Sequence, residues 1–160
     1  MKRLIVLFLF VAGIFMVGLP AMADCLATVE QVKPAQDIRA EAVSLRDAGS
    51  YDAAAAKFLQ AANLHPQEAY QASYLMNYVG CLLCQRYSPA KGYQAGNDKR
   101  LIKNSQAGYA GLDMVKAKID KAEQDGCEYS SGVIQNTKNW YYAQLKYLTS
   151  VVDREQTEKE

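Results

Sequence analysis

The chain has 160 residues, half of them apolar, with 18 basic side chains against 17 acidic ones. That composition excludes the disordered, collagen-like and strongly charged classes of protein. The near-neutral charge also gives no electrostatic reason to expect a nucleic acid or an anionic membrane surface as the partner.

The N-terminus holds the most apolar stretch of the chain. Lys2 and Arg3 precede an unbroken hydrophobic run from Leu4 to Val17, and the small residues Ala21 and Ala23 follow it. A basic start, a short apolar run and a small-x-small end are typical of a secretory signal peptide, and the run is short for a membrane span of roughly 20 residues. We therefore predict a signal peptide at residues 1–23, cleavage after Ala23, a periplasmic or secreted protein, and no membrane span after cleavage.

The remaining chain is rich in Ala, Leu, Gln and Lys, which favours helix, and a single domain accounts for its length. After an N-terminal lead at residues 24–33, Pro34 suits the first turn of a helix because its missing N–H costs nothing there. Gly49 ends this first predicted helix. Ser50 caps a second one, which ends at His65–Pro66.

A third helix is predicted from Gln67 to about Arg86. The stretch at residues 87–98 contains one Pro, two Gly and an Asn-Asp pair, so it is predicted to be a loop. A fourth helix follows up to Gln124, and Gly108 and Gly111 weaken it because glycine has a low helix propensity.

The last predicted helix begins at a cap formed by Ser130 or Ser131 and continues to Val151. The charged segment at residues 153–160 is predicted to be a disordered tail. The sequence thus predicts an all-α domain at residues 34–152.

One segment resembles a known repeat. In the tetratricopeptide repeat (TPR), a Gly separates two helices, an aromatic residue follows, and small residues let the helices approach each other before a closing Pro. Six residues fall at the family's spacing: Gly49, Tyr51, Ala54, Phe58, Ala61 and Pro66. The resemblance implies a right-handed array of about two helix pairs with a C-terminal capping helix. The alternative is an unrelated five-helix bundle.

The resemblance continues more weakly along the chain. Three groups keep the repeat's spacing: Ala72, Leu75, Met76 and Val79 in the third helix; Ala110, Met114 and Ala117 in the fourth; and Trp140, Ala143 and Tyr147 in the last. Because a single helix pair cannot bury its own apolar face, neighbouring pairs are expected to stack.

The first helix of each TPR pair lines a concave groove, so the resemblance also implies a binding site. Its groove positions correspond here to Gln36, Arg39, Val43, Arg46, Tyr70, Ser73, Asn77, Lys138, Tyr141 and Leu145. Arginine binds carboxylates with two parallel hydrogen bonds, and tyrosine offers a large contact area. A protein or peptide with an acidic segment or a C-terminal carboxylate is the predicted partner. However, one stripe of the third helix has the spacing that is typical of core packing and not of a binding surface: Tyr70, Tyr74 and Tyr78.

The four cysteines, Cys25, Cys81, Cys84 and Cys127, are expected to be oxidised in an exported protein. In an antiparallel helix pair, Cys127 lies roughly 20 Å from Cys81 and Cys84, whereas a disulfide needs α-carbons within about 7 Å. This favours Cys25–Cys127 and Cys81–Cys84. If the loop folds back, Cys84 pairs with Cys127 instead.

The Cys81-Leu-Leu-Cys84 motif gives little support for a role in haem attachment, redox exchange or zinc binding. Haem attachment requires His after the second Cys, and Gln85 stands there. The pair falls late in a helix, where the helix dipole opposes a thiolate, so a redox role is disfavoured. A zinc site needs two further ligands, and the only histidine is His65.

No catalytic constellation is found, and no cofactor or metal is predicted. The leading hypothesis is a non-enzymatic, exported TPR-like scaffold or adaptor that binds a protein or peptide in its groove. Two alternatives remain: a periplasmic thiol protein that uses Cys81 and Cys84 for redox exchange or metal capture, and a structural subunit of a cell-envelope complex.

Overall fold

A computed structural model describes residues 27–83, 86–88, 92–94, 98–126 and 130–158. The elements in chain order are α1 (Val29–Asp47), α2 (Tyr51–Leu64), α3 (Glu68–Leu82), β1 (Arg86–Ser88), β2 (Gly92–Gln94), α4 (Asp98–Lys103), α5 (Ser105–Asp125) and α6 (Ser131–Thr157). The all-α prediction is confirmed for these residues, apart from one short ribbon. Each long helix packs on the next in the order α1, α2, α3, α5 and α6, and α3 also contacts α6.

Helix α1 begins earlier than predicted, so the assignment of Pro34 to its first turn is wrong. Thr28 forms a capping box with Gln31: the Thr28 hydroxyl accepts from the Gln31 amide at 3.3 Å, and the Gln31 side chain accepts from the Thr28 amide at 2.8 Å. These bonds satisfy two backbone donors that would otherwise lack partners. Pro34 lies inside the helix.

The first helix pair has the small residues and the aromatic ring where the repeat pattern predicts them. Gly49 adopts a positive φ of 81°, which lets the chain reverse between α1 and α2. Ala54, Phe58 and Ala61 are buried along one side of α2. Their burial allows α2 to pack closely between α1 and α3.

The stretch predicted as a loop at residues 87–98 contains regular structure. Strands β1 and β2 form a two-stranded antiparallel ribbon in which Arg86 pairs with Gln94 and Ser88 with Gly92. Helix α4 begins at Asp98. Isolated Gly and Pro residues indicate a chain reversal but do not distinguish a hairpin from an open loop.

Helix α5 buries a different face from the one predicted. Ala110, Met114 and Ala117 are exposed, and the buried residues are Gly108, Gly111, Leu112, Val115, Ile119 and Ala122. The reason is a close approach to α3: a Cβ atom added at Gly111 would lie 2.6 Å from Val79 Cγ2. The glycines, and not the alanines, therefore mark the contact between these helices.

Helix α6 also departs from the predicted spacing. Ala143 is exposed, and Trp140 and Tyr147 are only half-buried. The buried residues recur every three or four positions: Ile134, Thr137, Tyr141, Gln144, Leu148 and Val151. The helix continues to Thr157, so most of the segment predicted to be a disordered tail from residue 153 is helical.

Candidate functional site

Arg39 and Arg46 of α1 lie beside Tyr74 and Asn77 of α3 on one surface, and of these four residues Arg39, Arg46 and Asn77 were predicted to line the groove. We call it the α1–α3 surface. The Arg39 guanidinium carbon lies 5.8 Å from the centroid of the Tyr74 ring. Arg46 Nη1 donates to Asn77 Oδ1 at 3.1 Å. Because residues seven apart project from the same side of a helix, both arginines lean towards α3.

Arg46 is held from several sides. Its Nε atom donates to Asp47 Oδ1 at 3.3 Å, and its guanidinium carbon lies 5.9 Å from the centroid of the Phe58 ring. Asn77 is itself oriented, since its Nδ2 donates to the Ser73 carbonyl oxygen at 2.9 Å. The position of this guanidinium group is therefore fixed by neighbours on α1, α2 and α3.

Arg39 is more available than Arg46. Its side chain is exposed, and it forms no salt bridge with a carboxylate of the described residues. The Tyr74 ring provides a cation–π contact for its guanidinium group. The arrangement suits an incoming carboxylate.

An aromatic cluster supports this surface from the turn between α2 and α3. The buried His65 ring stacks on Tyr70 with centroids 4.7 Å apart and meets the Tyr74 ring edge-on at 5.5 Å. Its Nδ1 accepts from the Gln67 amide at 3.1 Å. Burial lowers the pKa of His65 and raises that of Tyr74, so both rings are neutral at pH 7.

The packing of His65 against two tyrosines was not predicted from the sequence. A lone His before Pro has no periodic pattern that would place it against two tyrosines. Of the tyrosine stripe, Tyr74 is buried while Tyr70 and Tyr78 are half-buried, which agrees with the core spacing noted above.

Three of the predicted groove residues make other contacts. Val43 packs against the buried cluster around Phe58. Tyr141 is buried, which raises its pKa, and Lys116 of α5 acts on it electrostatically. Lys138 donates to Glu123 of α5 at 2.7 Å. Tyr141 and Lys138 therefore both interact with residues of α5.

Of the four cysteines, only Cys81 belongs to the described residues, and it is buried against Phe58 and Ala54. Both predicted disulfides involve residues outside that part of the chain. Within it, no three His, Cys, Asp or Glu side chains cluster closely enough to hold a metal ion.

Comparison with known proteins finds no matching family model, no similar curated protein and no similar solved structure. None of the helices at residues 27–158 that the structure describes is long and apolar enough to cross a membrane. The predicted signal peptide at residues 1–23 lies outside the described residues.

Proposed function

We propose that this protein is an exported, TPR-like adaptor that binds a protein or peptide through the α1–α3 surface, and that the bound segment supplies a carboxylate. One observation carries the proposal. Arg39 and Arg46 stand on the same side of α1 and contact Tyr74 and Asn77 of α3, and the exposed Arg39 has no carboxylate partner among the described residues.

The packing order supports the TPR-like part of the proposal. The pair α1 and α2 is followed by α3 and α5, with α6 against both members of the second pair. In such an array the first helices of successive pairs are neighbours, and the contacts of Arg39 and Arg46 with α3 are of this kind. The α4 segment and the ribbon are additions between α3 and α5.

The thiol-exchange alternative has less support. Cys81 is 1% exposed, and a thiol must be accessible to attack a disulfide. The adaptor hypothesis needs no reactive group, since a surface with fixed hydrogen-bond donors is sufficient for binding.

A peptide-binding experiment tests the proposal. Random peptides with a free C-terminus are selected on the immobilised protein, and the selected peptide is measured by fluorescence anisotropy with a free and with an amidated C-terminus. We expect Arg39→Glu with Arg46→Glu to weaken binding by about tenfold or more, because charge-assisted bonds are lost and repulsion replaces them.

The matched control is Lys116→Glu with Lys121→Glu on α5, which changes the net charge equally and should leave binding intact. Arg39→Glu alone avoids the buried environment of Arg46 and should retain most of the effect. Equal binding by the wild type and the Arg39→Glu variant would overturn the assignment of this surface.

A further inference from the structure

The buried ring of His65 connects the turn between α2 and α3 to the α1–α3 surface. The residue is 3% exposed, and its ring stacks on Tyr70 and meets Tyr74 edge-on. On another helix, the Arg39 guanidinium carbon lies 5.8 Å from the centroid of the same Tyr74 ring. Tyr74 is therefore shared by the only histidine of the chain and by the exposed arginine of the proposed binding surface.

The hydrogen bond of this ring determines where a second proton binds. His65 Nδ1 accepts from the Gln67 amide at 3.1 Å, so the neutral ring carries its proton on Nε2. Protonation therefore occurs at Nδ1, and it turns an acceptor into a donor that faces another donor. Gln67 is the N-cap residue of α3, and the partial positive charge of a helix N-terminus also opposes an imidazolium there.

Among the described residues, no carboxylate forms a salt bridge with His65. The titratable groups that contact its ring are Tyr70 and Tyr74, and the charged group next to Tyr74 is the cation Arg39. Charged side chains on the surrounding helices pair with one another: Lys33 with Asp37 on α1, Lys57 of α2 with Glu41 of α1, and Glu68 of α3 with Lys118 and Lys121 of α5. An imidazolium at this position is therefore uncompensated, and burial lowers the pKa of His65.

We propose that His65 makes the α1–α3 surface sensitive to pH: the surface binds its carboxylate-bearing partner at neutral pH and releases it in mild acid, when the ring of His65 takes up a proton. This inference rests on the proposed function and adds the regulation of the same site. The carboxylate of the partner does not itself produce the effect, because carboxyl groups are protonated only at about pH 4.

Protonation acts on binding through Tyr74. A protonated imidazole cannot keep its bond to the Gln67 amide, so it must leave its position against Tyr74 or open the first turn of α3. It also places a second cation beside the ring that Arg39 contacts, and like charges repel each other. Both effects displace Arg39. Arg46 keeps its bond to Asn77, so we expect part of the affinity to remain.

Because His65 is the only histidine, one NMR titration reports its protonation directly. The pKa of the ring is measured from its Cε1–H resonance in the free protein and in the complex with the peptide selected at pH 7. We expect a lower pKa in the complex, because a proton that weakens partner binding is itself bound less tightly when the partner is present. Fluorescence anisotropy should show the peptide affinity of the wild type falling by about fivefold or more between about pH 7 and pH 5.

The affinity of His65→Gln should not change between these two pH values. If this variant does not fold, His65→Asn replaces it, since its Oδ1 can accept from the Gln67 amide and does not titrate. Helical content, followed by circular dichroism, should be the same at both pH values, and release that occurs only with loss of helix would overturn the proposal. A wild-type affinity that is unchanged or higher in acid, or a pKa of His65 that rises in the complex, would overturn the pH sensitivity and leave the proposed function intact. Absence of any peptide binding at neutral pH would refute the proposed function and this inference with it.

Discussion

At Gly111, the addition of a single Cβ atom would change how two helices pack. An alanine Cβ there would lie 2.6 Å from Val79 Cγ2, on a β-branched side chain with little freedom to move. At Gly108 the nearest atom would be Leu83 Cδ2 at 2.9 Å, the end of a more flexible side chain. Glycine at these two positions thus permits the close approach of α5 to α3.

We expect Gly111→Ala to lower the free energy of unfolding by about 1 to 3 kcal/mol because of steric overlap, and Gly108→Ala to lower it by less. Gly132, in the first turn of α6, has nothing within 4 Å of an added Cβ. Gly132→Ala should therefore raise stability by up to about 1 kcal/mol through helix propensity. Urea unfolding, followed by circular dichroism, measures the free energy of unfolding of all three variants. Equal stability of the Gly111→Ala and Gly132→Ala variants would contradict the packing.

His65 makes stability depend on pH. Burial lowers its pKa below the ordinary value of 6.5, so the folded state favours the neutral ring. As the pH falls below about 6.5, the unfolded chain takes up a proton that the folded chain does not, and the free energy of unfolding decreases until the folded pKa is passed. Stability is therefore highest above pH 6.5.

Because His65 is the only histidine, His65→Gln should remove most of the pH dependence of stability between about pH 7 and 5.5. Urea unfolding at several pH values, for the wild type and the variant, measures this difference. A wild-type stability that does not change across this range would show that His65 is not desolvated.

At the scale of elements, the buried stripe of α6 is mostly apolar but includes one polar residue without a hydrogen-bond partner, Gln144. Gln144 is completely buried, and neither its Oε1 nor its Nε2 has a hydrogen-bond partner. Thr137 on the same stripe is satisfied, because its hydroxyl donates to the Val133 carbonyl oxygen at 2.8 Å. Burial without a partner makes Gln144 a cost to the docking of α6.

We expect Gln144→Met, which has a similar shape and no polar groups to desolvate, to raise the free energy of unfolding by about 1 to 3 kcal/mol. Thermal or urea unfolding measures the change. Thr137→Val is the matched control and should alter stability much less, since the bond it removes lies within the helix. Destabilisation by Gln144→Met would mean that the amide has a partner in solution.

At the scale of the whole molecule, the buried residues form two clusters. The larger one extends from α1 through α2 and α3 to α6, and the smaller one joins α1, α2 and α3 around Phe58. Phe58 contributes the largest side chain of the smaller cluster, which also contains Ala42 of α1 and Cys81 of α3. The α1–α3 surface lies over this junction, because Arg46 is placed above the Phe58 ring.

Phe58→Ala should lower the free energy of unfolding by about 3 to 5 kcal/mol, since it removes a fully buried ring and leaves a cavity between three helices. Leu64→Ala on the same helix is the control: its side chain is 48% exposed, so its loss should cost much less. Denaturant unfolding compares the two. A cost below about 1 kcal/mol for Phe58→Ala would contradict its position in the core.

The sequence alone was sufficient for features that depend on local pattern. Helical periodicity predicted the principal helices, and the Gly49 to Pro66 spacing placed Ala54 and Phe58 on the buried side of α2, because residue spacing determines which side chains share a face. The groove positions implied by the resemblance included Arg46 and Asn77, which form a hydrogen bond in the structure. Composition also gave the prediction that nucleic acid is not the partner, without reference to any fold.

Only the tertiary structure decided which face the later helices bury. Glycine at 108 and 111 lowers helix propensity in any context. Its effect on packing, however, depends on Val79 of α3 and on Leu83 at the end of that helix. For the same reason Tyr141 interacts with charged residues of α5, and Asp52 pairs with Arg100 although 48 residues separate them. Such pairings depend on how the helices cross in space, and the spacing of residues along the sequence does not determine that crossing.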